Sequence, residues 1–469
     1  MNFNAIFRNV RKHGIRGTLQ IRRQRIEAQK EKDRRDRLCT WYHDCAFERS
    51  FLRLGDDARA EYMERIYAVE KELKELRPKT LKRMKKENKA RYLKEVIPAC
   101  YAEHAAKPVE DKIIIMESGA YSPSPSSYYV GKALEEQGEY EVKYMALMVR
   151  RVSEIEFYEN AVDFVKELAT AKAVFLSTAN DILSQFDVRP ETKVIQLWHG
   201  VGIFKKVGYS TVDNPKFGKS RKDREEYNQY RNYTYVTIPS EEQSWIFEES
   251  MQIPKEAGII VPVGVSRTDV FYDPAFKQAA LEDLYAAFPQ IEGKKIILYA
   301  PTFRGETATA QAPDRLDVEK MAEALSDEYV LLIRYHGLCK TLPPIPEQWE
   351  NTFAFDMNTN NILQIEQSLA IADICITDYS SVAFEYAILE RPILFFAYDL
   401  EEYIDHRGMY YDYEEITPGP VCRTTEEMVD YIVHLDTRFD REKIHAFREK
   451  YVTMCDGHAT ERTLALLEA

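Results

Sequence analysis

The run 194–197, largely apolar, reads as a strand and is followed by Trp198, His199, Gly200, Val201 and Gly202, with Lys205 and Lys206 close behind. A histidine at the end of a buried strand titrates near neutral pH, and flanking glycines let the backbone approach a ligand, so His199 is placed for general-base work. The neighbouring lysines favour that reading over a histidine satisfied inside a core. Three further apolar runs end in groups suited to an anion. The run 259–263 leads into Gly264, Val265, Ser266, Arg267, Thr268 and Asp269, where Arg267 could present its fork to phosphate oxygens or pair with Asp269. KKIILYAPTFRG turns through Pro301 and Thr302 towards Arg304, and YVLLIRYHG ends in Arg334, Tyr335 and His336. Such endings along one type of edge point to a bound anion rather than to unrelated loops.

The segment 372–399, ADICITDYSSVAFEYAILERPILFFAYD, is the most informative. After an apolar run come Asp378, Tyr379, Ser380 and Ser381, then a helical pattern with Phe384, Ala387 and Ile388 on one face until Arg391 and Pro392 stop it. Paired serines at a helix start offer hydroxyls and free N–H groups to a phosphate, and Glu385 one turn later can accept from a polyol or ribose hydroxyl. Simple capping of the helix by Ser380 is the alternative. The sequence has no G-x-x-x-x-G-K-[ST], G-x-G-x-x-G after a strand, H-E-x-x-H or G-x-S-x-G. This argues against a P-loop NTPase, a common dinucleotide oxidoreductase, a zincin and an α/β-hydrolase. No acidic cluster suggests a dedicated metal cage, although a weakly held Mg²⁺ on a pyrophosphate would leave little trace.

Elements capable of positioning these residues follow from the texture of the chain. Short runs rich in Ile, Val, Phe and Tyr predict strands at 112–116, 141–145, 173–177, 194–197, 234–238 and 259–263, and, after Gly293, at 296–299, 329–335, 374–377 and 393–396. Their alternation with longer amphipathic stretches predicts two α/β domains with parallel, doubly wound sheets, in which ligands bind beyond the carboxyl ends of the strands. Before Pro108 the pattern is helical, with Phe51 and Leu54, then Tyr62, Ile66, Val69 and Leu73, at three- and four-residue intervals. The expected domains are therefore 1–108, 109–288 and 289–469.

With 469 residues, 45% of them hydrophobic and 30% charged, the chain can bury more than one core. Its net charge of −13 hides an asymmetry: residues 1–98 carry 27 Lys and Arg against 15 Asp and Glu, a balance of +12 that leaves −25 on the rest. An acidic body argues against a nucleic-acid binder, and a basic leader suits an anionic membrane surface or another acidic partner. Phe3, Ile6, Phe7 and Val10, with Arg8, Arg11 and Lys12 beside them, fit either an interfacial helix or a solvated basic helix. Seven scattered cysteines without C-x-x-C read as reduced thiols. Neither a secretory signal nor a run long enough to span a bilayer is expected.

Taken in order, WHG, GVSRTDV, LYAPTFRG, RYHG, ITDYSSVAFEYAILERPILFFAYDLEEY, RGMYYDYEEITPGPV and DGHATERT resemble the CDP-glycerol glycerophosphotransferases of teichoic acid synthesis over roughly residues 112–469. The resemblance implies a GT-B architecture, two facing Rossmann-like domains with the donor held mostly on the second. It implies transfer of glycerol phosphate from CDP-glycerol to a hydroxyl of an undecaprenyl-diphosphate-linked acceptor, releasing CMP, by an enzyme peripheral to the cytoplasmic side of the cell membrane. Carried over by position, it makes His199 the catalytic base, with His336 a second catalytic group. Donor contacts fall to Trp198, Gly200, Val201, Gly202, Arg267, Pro301, Thr302, Arg334, Tyr335, Ser380, Ser381 and Glu385. Val201-Gly202 stands where the family commonly has T-P, and Gly337 follows His336 where it has proline. Two related readings change the donor, to CDP-ribitol or to a nucleotide sugar. A membrane scaffold without catalysis is a third.

Overall fold

The computed structural model describes residues 20, 23–43, 56–119, 122–147, 152–212, 214–218, 220–306, 309–359 and 362–469. Phe3, Ile6, Phe7, Val10, Phe51 and Leu54 lie outside the described residues.

The chain divides into two compact units. The first comprises residues 1–107, 119–121 and 146–169; the second holds the remainder. The first unit is helical, with helices over 23–43, Asp56–Leu76, Pro78–Arg91 and Ile97–His104. Ile66 and Leu73 are fully buried with Tyr42 and Ile155, so the three- and four-residue spacing does mark a core face. Glu70 anchors this core by accepting from Tyr42 Oη at 2.6 Å and pairing with Lys85 Nζ at 2.6 Å. The helix Glu154–Leu168 belongs to the same unit and opens with a capping box between Ser153 and Glu156.

The second unit contains two six-stranded sheets. Strands β1 (Glu110–Ser118), β2 (Glu141–Leu147), β3 (Ala171–Leu176), β4 (Lys193–Gln196), β5 (Tyr235–Ile238) and β6 (Ile260–Pro262) form the first, in the order β2-β1-β3-β4-β5-β6. Strands β7 (Lys295–Tyr299), β8 (Tyr329–Ile333), β9 (Ala354–Asp356), β10 (Ile374–Thr377), β11 (Ile393–Phe396) and β12 (Val421–Cys422) form the second, in the order β12-β11-β10-β7-β8-β9. Its pairs are all parallel, as are the pairs from β1–β3 to β5–β6 in the first. Short β9 and β12, three and two residues long, were not expected from the sequence and cap the two edges of the second sheet.

Alternation along the strands explains why they are apolar throughout. In the second sheet Ile296, Leu298, Cys375, Ile393 and Phe395 pack into one core, while Ile297, Tyr299, Ile376, Leu394 and Phe396 pack into another on the opposite face. The second sheet has the strand order of a dinucleotide-binding fold, and its order reverses between β7 and β10. Loops leaving those two strands diverge and open a crevice, so the turns at Pro301-Thr302 and Asp378–Ser381 flank it.

The chain finally crosses back to the first sheet. Asp269 accepts from the N–H groups of Ala459 and Thr460 at 3.0 and 2.7 Å, capping the helix Ala459–Ala465. Leu464, Leu466 and Leu467 then pack with Ile113, Phe175 and Ile195. Asp269 thus serves a helix start, not the ion pair with Arg267 that their proximity in sequence allows.

Candidate active site

Strand β4 delivers the histidine through a constrained turn. Trp198 adopts a left-handed backbone, φ 59°, which disfavours a bulky side chain. Its N–H donates to Gln196 Oε1 at 2.8 Å, and its ring packs edge-on to Phe247. These contacts hold the turn and leave His199 on the cleft side, its ring 4.5 Å from that of Trp198.

His199 keeps accessible surface in the cleft, yet protein crowds its ring on most sides. Desolvation, then the charges of Lys205 and Arg267, push its pKa down to about 4, partly offset by a hydrogen bond to the backbone of Ser177. Ser177 is itself held, its hydroxyl donating to Glu117 at the end of β1 at 2.7 Å.

The glycines after His199 serve packing between the two lobes. A Cβ on Gly202 would lie 2.3 Å from the Phe384 ring, and one on Gly200 would lie 3.1 Å from Ser381 Oγ. They admit the helix Val382–Ala387 of the second lobe, whereas the sequence reading gave them to a ligand. Val201 stands apart from the cleft lining, fully buried in the core that also holds Phe384.

Trp198, His199, Gly200, Gly202, Arg267, Pro301, Thr302, Arg334, Tyr335, His336, Ser380, Ser381 and Glu385 converge on one cleft of about 520 Å³. Several have their polar groups engaged by protein. Arg267 Nη2 meets Glu366 Oε1 at 2.7 Å and Glu385 Oε2 at 3.1 Å, and its Nη1 reaches the His199 carbonyl at 3.4 Å. Glu385 is almost wholly buried, and burial lifts its pKa to about 7 despite Arg267. Arg334 donates to the carbonyls of Leu363 and Met357 at 2.6 and 3.2 Å. Arg304 is locked between Asp378 and Asp399 and surrounded by the rings of Tyr379, Tyr398 and Tyr403. Thr302 N–H donates to Asp378 Oδ1 at 2.8 Å, so Asp378 ties the β7 turn to the β10 turn.

Ser380 accepts from the Val382 N–H at 3.3 Å, so it caps the helix while lining the cleft. His336 is exposed, accepts from Leu338 N–H on Nδ1 at 3.2 Å and packs on Phe303. Partial desolvation of the ring by the cleft walls, then the charge of Lys205, lowers its pKa. Lys205, Arg407 and Phe303 also line the cleft. Lys205 was visible in the sequence as a neighbour of His199. Arg407, some two hundred residues away, carries no local signal beyond opening the RGMYYDY run.

That run joins the lobes. Lys205 forms an antiparallel bridge with Met409, Tyr410 N–H donates to the Phe204 carbonyl at 2.9 Å, and Lys206 N–H donates to that of Gly408 at 3.1 Å. Among the described residues no group of three or more His, Cys, Asp or Glu could hold a metal ion, and Glu385, the lining carboxylate, is engaged by Arg267. The lining does not fit a resident cation.

Two parallel sheets with a cleft at the carboxyl ends of their strands define a GT-B-like fold. It is shared with the wall teichoic acid polymerase TagF, at a TM-score of 0.65 and 24% identity over 79% of this chain and 92% of that one. The chain belongs to the CDP-glycerol:poly(glycerophosphate) glycerophosphotransferase family, whose profile matches residues 99–469. Among curated relatives it is 36% identical over 298 residues to the teichoic acid poly(ribitol-phosphate) polymerase of Bacillus spizizenii, covering 63% of this chain and 46% of that protein. It is 32% identical over 349 residues to the teichoic acid glycerol-phosphate primase of Bacillus subtilis, covering 71% and 86%. The chain spans about half the length of the first of these relatives.

Proposed function

We propose that this protein transfers glycerol phosphate from CDP-glycerol to a hydroxyl of a lipid-linked acceptor in teichoic acid or related phosphopolymer synthesis, releasing CMP. The observation that carries the proposal is the convergence of His199 from one lobe with His336, Ser380 and Ser381 from the other on a single cleft.

In this mechanism His199 accepts the proton of the acceptor hydroxyl on a ring nitrogen. The oxygen attacks the β-phosphorus of CDP-glycerol, a new P–O bond forms, and the bond to the CMP oxygen breaks in line. Phosphoryl transfer needs positioning and charge stabilisation more than covalent chemistry, and a general base contributes about 10²–10⁴-fold. His336 and the serine hydroxyls face the phosphates. Arg267 acts indirectly, through the carbonyl of His199 and through Glu366 and Glu385. A Mg²⁺ carried on the pyrophosphate would bring its own ligands, and no step depends on it.

The relative at 36% identity and another at 35%, a teichoic acid ribitol-phosphate primase of Bacillus spizizenii, are named for ribitol phosphate. That favours CDP-ribitol as the second donor to test. Purified protein is assayed with each donor and a lipid-linked disaccharide, with and without one glycerol phosphate attached, following CMP and product length. CMP release with CDP-glycerol supports the reading, release with CDP-ribitol alone transfers it to ribitol, and release with neither overturns it.

Attachment to an anionic membrane through the basic leader belongs to the same proposal. No helix among the described residues is long and apolar enough to cross a membrane. Each Lys or Arg near an anionic surface contributes about 1 kcal/mol. Deleting residues 1–40 is expected to abolish low-salt sedimentation with anionic vesicles; unchanged sedimentation would remove this part.

A further inference from the structure

Lys205 and Arg407 are cleft cations without an ion-pair partner among the described residues. Lys205 follows the histidine turn of the first lobe, and Arg407 ends the helix Leu400–Arg407 of the second. Among the described residues neither has a carboxylate within ion-pair distance, in contrast to Arg267 and Arg304. The Arg407 guanidinium lies 3.7 Å over the Phe217 ring, with its Nε buried and without an acceptor. Burial, then the charge of Arg407, pulls Lys205 down to about 8. Two like charges held near each other in a partly desolvated cleft are unfavourable until an anion joins them.

Their placement is built into the backbone. The bridge between Lys205 and Met409 extends the chain locally, and alternate residues of an extended segment face opposite sides. Lys205 therefore lines the cleft, while Lys206 lines a separate cavity of about 490 Å³ with Tyr209, Asn214 and Glu249. Lys205 lines the same cleft as His199 and His336, the cleft in which a phosphorus reacting beside His199 would lie.

We infer that Lys205 and Arg407 grip the donor diphosphate from opposite lobes, with Lys205 on the transferred β-phosphoryl group. The inference rests on the donor chemistry proposed above. It gives the diphosphate to these residues, since the charge of Arg267 and the donors of Arg334 are already engaged within the protein. A diphosphate between the lobes offsets their repulsion and draws Lys205 and Arg407 together.

Calorimetric titration of the full chain with CDP-glycerol and, separately, CMP tests this. Lys205→Gln is expected to weaken CDP-glycerol about 10- to 100-fold, as for loss of a charge-assisted hydrogen bond, and CMP, which lacks the β-phosphate, far less. Arg407→Gln weakens CDP-glycerol comparably, Lys205→Arg recovers most of the affinity, and Lys206→Gln leaves it unchanged. Wild-type affinity in both Lys205→Gln and Arg407→Gln, or equal loss of CDP-glycerol and CMP in Lys205→Gln, overturns the assignment. So does a raised acceptor KM with unchanged donor affinity, which would place these cations on acceptor phosphates. If wild type binds neither CDP-glycerol nor CDP-ribitol, the functional reading fails by itself. Inorganic pyrophosphate then probes the cation pair, and retention of its binding in both variants rejects the pair as well.

Discussion

His199 owes its chemistry to its neighbours rather than to its own intrinsic pKa. Held at about 4 by the desolvation of its crowded ring and by the charges of Lys205 and Arg267, it stays neutral, and hence able to accept a proton, across the physiological range. Activity should therefore fall on acidification only as pH approaches 4, where protonation removes the base, and not near the ordinary histidine value. On the alkaline side Lys205 loses its charge above about 8, weakening donor capture. A pH profile of kcat/KM, which reports the free enzyme, checks both limbs. His199→Ala should lower kcat by about 10²–10⁴ with donor affinity little changed, and near-normal turnover in that variant would exclude His199 as the base.

Elements meet where side chains are either absent or locked. Gly202 admits the Phe384 ring, so Gly202→Ala should destabilise the fold by about 1–3 kcal/mol through overpacking, read as a lowered thermal midpoint. Phe384→Leu introduced with it should recover part of the loss. Arg304 pairs with Asp378 and Asp399 and thereby fixes the turns after β7 and β10. Arg304→Ala leaves those carboxylates without their cation, and a loss of about 3–5 kcal/mol in denaturant unfolding is expected. Its conspicuous place in the TFRG motif reflects this structural task more than contact with a phosphate.

Across the whole molecule, the final segment returns the chain from the second sheet to the first. Asp269 caps its helix and Arg462 donates to the carbonyls of Val263 and Met454. Asp269→Ala should cost about 1–3 kcal/mol in denaturant unfolding, since it leaves two helix N–H groups without their acceptor. Unchanged stability would show that the apolar contacts of Leu464, Leu466 and Leu467 suffice to dock this helix.

By itself the sequence determined the alternation of apolar strands and amphipathic helices, and with it two parallel sheets and the edges along which site residues fall. Those features are local: burial on both faces makes strands such as Ile393–Phe396 continuously apolar, and loop chemistry follows directly after them. It left out β9 and β12, because two or three residues carry no periodicity and acquire strand form by pairing with β8 and β11. Tertiary structure alone decided which charges stay free in the cleft. Arg267 and Lys205 look alike as cations beside glycine-bearing turns, but Glu366 and Glu385 arrive against one of them from distant helices, and no carboxylate among the described residues pairs with the other. Ion pairing depends on distances of a few ångströms between segments far apart in the chain, and no spacing in the sequence encodes them.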